Sequence, residues 1–112
     1  MSLETSYKSE VPYEIVVFRG EITISTSTPV TLELNSKVDN DSQKDLALDL
    51  SEVNSIDSSG LRLIVSLHNK MRERNKQLYI LKPSEIVQKI FRETNMLNIL
   101  KIIDSCEMIE KK

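Results

Sequence analysis

The chain reads as one α/β domain over residues 1–112, with a mixed, mostly parallel sheet of four to five strands and about four helices. Three observations lead there. β-branched or alternating apolar segments are interleaved with segments whose apolar residues recur at helical spacing, the pattern of strand–helix–strand crossovers. The stretches joining successive strand segments are too long for hairpins and suit crossovers between parallel strands. Finally, 112 residues, 39% hydrophobic and 29% charged, suit a single globular unit with a core of its own.

Each element has a local reason. The first dozen residues are polar, end at Pro12, and suit an edge strand or a short arm. Antiparallel pairing of such a strand is what makes the expected sheet mixed. Residues 14–20 form a strand, because Ile15, Val16, Val17 and Phe18 are β-branched or aromatic and Gly20 ends them. The hydroxyl run before Pro29 predicts a helix start, with Thr28 as N-cap and Pro29 at the first helical position. Val30, Leu34 and Val38 then supply its apolar stripe, and the polar stretch 39–44 ends it. Leu46, Leu48 and Leu50 alternate as a core strand does, and a short connector follows over residues 51–56. Leu63, Ile64, Leu67 and Met71 mark a long helix whose end carries Arg72, Arg74 and Lys76, where cations complement the helix dipole. Residues 77–81 are a further strand. Pro83-Ser84-Glu85 opens a helix bearing Ile86, Val87, Ile90 and Phe91, with Asn95 ending it in a left-handed conformation. Residues 99–104 give a last short strand, and the remainder an amphipathic terminal turn or two.

The residue inventory excludes several chemistries. With two glycines, Gly20 and Gly60, neither a dinucleotide fingerprint nor a phosphate-binding P-loop can be written. One cysteine, Cys106, forms no internal disulfide, and one Cys with one His does not make a structural zinc site. No metal and no cofactor are expected. A net charge of −2 and 4% aromatic residues argue against nucleic acid or anionic lipid as partners. No apolar run of membrane-spanning length and no secretory leader pattern occur, so a cytoplasmic location is expected.

The candidate site is the junction Asp57-Ser58-Ser59-Gly60-Leu61-Arg62. It lies between a core strand and a long helix, at the carboxyl end of the strands, where α/β sheets commonly meet ligands and partners. Asp and Ser before an apolar run are also the preferred N-cap residues, so a purely structural role is open. A helix N-terminus presents free N–H groups and about half a positive charge, which suits a phosphorylated hydroxyl of charge about −1.5 to −2.

These residues carry a resemblance. The strand at 16–22, the Leu48-Asp49-Leu50 strand, the Asp57-Ser58-Ser59-Gly60-Leu61 turn, the Leu78–Leu81 strand and the pattern through residues 83–112 resemble the STAS domains, specifically those of anti-sigma factor antagonists. That resemblance implies a phosphorylation switch rather than an enzyme. The serine after the Asp, Ser58 here, is phosphorylated by an anti-sigma factor that is itself a serine kinase. The unphosphorylated protein binds the anti-sigma factor, the phosphorylated one releases it, and a metal-dependent serine phosphatase resets the switch. The contact surface it implies comprises Asp57, Ser58, Ser59, Gly60, Leu61 and Arg62, with Thr23 in the kinase-contacting region where the family often has Asp. Ser59 is expected to lend a capping hydroxyl, and Gly60 to admit a partner backbone. Arg62, four residues after Ser58, shares its helical face and is either a phosphoserine partner or a solvated cation.

Two other functions stay open on the sequence. One is a STAS scaffold or sensor whose helix N-terminus holds a nucleotide or other anion. The other is a small enzyme using Ser58. For the latter the only His, His68, lies ten residues on, about 15 Å along a helix and too far to act as base.

Overall fold

The computed structural model describes residues 3–10, 13–40 and 45–103. Five strands lie side by side in chain order: β1 (Leu3–Glu10), β2 (Tyr13–Ile22), β3 (Asp45–Ile56), β4 (Leu78–Leu81) and β5 (Lys101–Ile103). Among the described residues only the β1–β2 pair is antiparallel; β2, β3, β4 and β5 run parallel. The crossovers carry α1 (Ile24–Asn40), α2 (Ser58–Glu73) and α3 (Glu85–Glu93), with a 3-10 turn at Met96–Asn98 before β5. The N-terminal segment is thus an edge strand. The expected terminal turn and Cys106 lie outside the described residues.

The alternation in β2, β3 and β4 divides the apolar side chains between two faces. Val16, Phe18, Leu48, Leu50 and Ile80 meet Leu34 of α1, Ile64 and Leu67 of α2, and Val87 and Phe91 of α3 in the larger core. All three helices pack on this face. On the other, Ile15, Val17, Ala47, Tyr79, Leu81 and Ile103 form a second buried cluster. The middle strands are therefore buried on both sides, as parallel strands usually are.

Four boundaries differ from the sequence expectation. β2 continues past Gly20, which instead takes φ 115° where the β2–β3 register shifts between Gly20 and Glu21. A bulge that needs a positive φ explains this glycine better than a strand end does. The expected connector at 51–56 is strand, pairing with β2 as far as Ile22 and Ile56. α1 starts at Ile24 rather than at Pro29. The Thr23 carbonyl accepts from the N–H groups of Thr26 (3.0 Å) and Ser27 (2.8 Å), while Thr26 Oγ1 accepts from Thr23 N–H (3.0 Å) and donates to Glu21 O (2.7 Å). This hydroxyl cap starts the helix ahead of Pro29, which sits exposed inside it. β5 begins at Lys101, because Ile99 closes the 3-10 turn and is 47% exposed.

Other ends match. Ser84 caps α3, its hydroxyl accepting from Val87 N–H, and Asn95 follows that helix at φ 61°. α2 ends in a Schellman arrangement, with Lys76 N–H donating to Met71 O at 2.9 Å and Asn75 N–H to Arg72 O at 3.0 Å.

Candidate functional site

β2 and β3 end level with one another, and Asp57 N–H donates to Ile22 O at 3.2 Å just beyond the last strand pair. α1 and α2 consequently start at the same corner of the sheet. Asp57, in extended backbone, is the N-cap of α2: its Oδ1 accepts from the N–H groups of Ser59 (2.9 Å) and Gly60 (3.1 Å). Its Oδ2 accepts from the N–H of Ile24, the first residue of α1, at 3.1 Å. One carboxylate therefore ties the positive ends of two helices. Desolvation pushes its carboxyl upward, but the N–H donors from Ile24, Gly60 and Ser59 outweigh it and hold the group below its ordinary value.

Gly60 is buried in the first turn of α2, and its role differs from the one expected. A Cβ there would lie 2.6 Å from both Ile22 O and Ile56 Cγ1, so the close approach it permits is to its own chain, not to a partner. Ser59 is not the capping hydroxyl; it occupies the second helical position, where its N–H receives the cap from Asp57. Leu61 is half-buried and packs against the larger core. Thr23 is only 8% exposed, and its Oγ1 is buried with no hydrogen-bond partner among the described residues.

Ser58 and Arg62 remain at the surface, both exposed, on consecutive turns of α2. The structure thus brings the expected site residues to one corner but sorts them in depth. Gly60 and Thr23 are buried beneath the corner, Asp57, Ser59 and Leu61 are half-buried, and Ser58 and Arg62 are exposed. Ile24 is the residue that the sequence reading missed. It gives Asp57 its N–H and leaves its own side chain 73% exposed. The signal was present in an isoleucine inside a hydroxyl run, but Pro29 drew the helix start past it.

Between the first halves of α1 and α2 runs a groove of about 320 Å³, lined by residues that include Ile24, Thr28, Ser59, Arg62 and Ser66. His68, further along α2, has a buried Nδ1 without a hydrogen-bond partner among the described residues. Burial first, then the charges of Arg72 and Lys101, hold it below the ordinary His value. Among the described residues no group of three or more His, Cys, Asp or Glu is placed to hold a metal ion. No helix among them is long and apolar enough to cross a membrane.

The STAS domain family model matches residues 7–108. An anti-sigma-B factor antagonist of Staphylococcus aureus (strain NCTC 8325 / PS 47) is 27% identical over 108 residues, covering 96% of this chain and 97% of that protein. Among solved structures, an anti-sigma factor antagonist from Mycobacterium paratuberculosis aligns with a TM-score of 0.83 at 19% identity, over 95% of this chain and 89% of its own. The Bacillus cell fate determinant SpoIIAA in its phosphorylated form aligns with a TM-score of 0.73 at 13% identity, over 96% of this chain and 98% of its own. At these two identities the likeness is one of fold.

Proposed function

This chain belongs to the STAS domain family, and from that premise we propose that it is an anti-sigma factor antagonist switched by phosphorylation of Ser58. It works in the cytoplasm as a binding protein rather than an enzyme. It captures an anti-sigma factor, itself a serine kinase, while Ser58 carries a free hydroxyl, and releases it once Ser58 is phosphorylated. A metal-dependent serine phosphatase restores the hydroxyl. Asp57, Ser58, Ser59, Leu61 and Arg62 form the contact surface, supported from below by Gly60 and Thr23.

One observation carries the reading: Ser58 is exposed at the first position of α2 while the neighbouring carboxylate is occupied by three backbone N–H groups. A modifying enzyme has access to the hydroxyl. A phosphate there lies at the positive end of the helix, where an anion gains about 0.3–2 kcal/mol, so the modification relabels the surface without unfolding the domain. In a protein interface the same dianion carries desolvation and like-charge costs. The Staphylococcus aureus relative, named an antagonist and aligned almost end to end, supports the same function.

The test is intact-mass measurement after incubation with the cognate kinase and ATP, paired with affinity measurement on Ser58→Asp. One added phosphate on the wild type, none on Ser58→Ala, and kinase binding lost in Ser58→Asp are expected. Phosphate gained by Ser58→Ala removes the site assignment. Equal binding by wild type and Ser58→Asp removes the switch.

A further inference from the structure

We infer that the groove between α1 and α2 receives an apolar segment of the anti-sigma factor that carries a carboxylate, and that this carboxylate and a phosphate on Ser58 compete for Arg62. The inference rests on the antagonist reading and gives it a chemistry of recognition.

The apolar part comes from α1. Ile24 and Leu32, at 73% and 68%, are the most exposed large apolar side chains among the described residues. Ile24 lines the groove, and Leu32 follows two turns later on its outer flank, beyond Thr28. Two large aliphatic residues held in water along one helix, beside a concave strip, are what an apolar ridge of a partner would cover.

The charge comes from α2. Among the described residues Arg62 is the single charged one lining this groove, whose other lining residues carry only hydroxyl or aliphatic side chains. Asp57 holds the two helix starts, Glu33 accepts from the Tyr7 hydroxyl, and Glu52 pairs with Arg19 at 3.0 Å, while Glu73 shares with Arg62 a separate cavity further along α2. Among the described residues Arg62 has no carboxylate partner. Because the Asp57 carboxylate already answers both helix N-termini, Arg62 is the charge left for a partner here, and it complements an acid flanked by aliphatic side chains.

Ser58 lies four residues before Arg62 on the same helix, the spacing at which side chains on consecutive turns meet. A phosphate on Ser58 therefore has Arg62 within reach, held permanently close by the helix. It replaces the groove's single positive charge with a net negative one, since it brings about −1.5 to −2. The partner's carboxylate loses its cation and meets a like charge at the same place. Release then follows from local competition and requires no change of fold.

The experiment has two arms. In the first, phosphoserine is installed at position 58 during synthesis, and the phosphate is titrated by phosphorus NMR in this protein and in the same protein with Arg62→Gln. The second phosphate pKa is expected to be lower with Arg62 present and to rise in Arg62→Gln, whereas coincident titrations overturn the competition. In the second, the affinity of the unphosphorylated protein is measured for the kinase shown to label Ser58. Ile24→Asp, Leu32→Asp and Arg62→Glu should each weaken it at least tenfold. Ile86→Asp, also at an exposed isoleucine but on α3, should leave it unchanged. Circular dichroism verifies that each variant is folded. Wild-type affinity in all three groove variants overturns the docking surface while leaving the antagonist function standing. If no kinase labels Ser58, the antagonist reading itself fails and the inference falls with it.

Discussion

Asp57 is where the chemistry of a single residue has the widest reach. A carboxylate has two acceptor oxygens, and here each serves a different helix: Oδ1 takes Ser59 and Gly60, Oδ2 takes Ile24. Asn supplies one oxygen and no charge, so Asp57→Asn keeps one helix cap and loses the other. Asp57→Ala loses both, at about 0.5–2 kcal/mol for each. Urea unfolding should rank wild type above Asp57→Asn above Asp57→Ala. The pH dependence has a definite sign. The folded carboxyl titrates below its unfolded value, so its contribution is complete above about pH 4 and is lost as the pH falls through the folded value. The urea midpoints of wild type and Asp57→Asn should therefore stay a constant distance apart from pH 5 to 8 and converge under stronger acid. A gap unchanged at low pH would mean that charge is not what Asp57 contributes.

At the scale of an element, α1 shows how one strong local signal hides another. Pro29 is an excellent first helical residue, and the preceding hydroxyls make plausible caps, so the sequence pattern stops there. The cap that operates is Thr23 with Thr26, anchored by the bond from Thr26 Oγ1 to Glu21 O at the end of β2. Proline then sits inside the helix, without the N–H that would reach the Ser25 carbonyl. Pro29→Ala restores that donor and relieves the ring's crowding, so it is expected to stabilise the protein by about 1 kcal/mol or more, raising Tm by about 4 °C. A lower Tm would show that the fixed proline φ outweighs the missing bond. The second half of β3 departs from the sequence expectation for a related reason. Ser51, Glu52, Asn54 and Ser55 look like connector residues, yet they continue the strand because β2 alongside supplies its backbone partners.

On the scale of the whole molecule, the apolar residues that carry stability are distinct from those proposed to carry recognition. Leu48 is fully buried in β3 at the centre of the sheet, within the core that all three helices cover. Leu48→Ala should cost about 2–5 kcal/mol by lost transfer energy and a residual cavity. Leu32→Ala, on an exposed flank, should change stability by less than about 0.5 kcal/mol. Denaturant unfolding of the pair checks this, and comparable losses would mean that Leu32 belongs to the folded core rather than to a contact surface.

The sequence by itself determined the order of strands and helices, the buried stripe of α2, the left-handed Asn95 and the place of Ser58 at a helix start. These follow from periodicity, capping preference and residue inventory, all of which act within a few positions of the chain. Only the tertiary structure decided that Asp57 serves α1 as well as α2, that Gly60 is pressed against Ile22 and Ile56, and that Ile24 borders the same groove as Arg62. Those relations join residues far apart in sequence. They exist because β2 and β3 pair in a register that ends at Ile22 and Ile56, setting both helix starts at one corner. Periodicity states which side chains leave water; the register of the sheet decides what they meet.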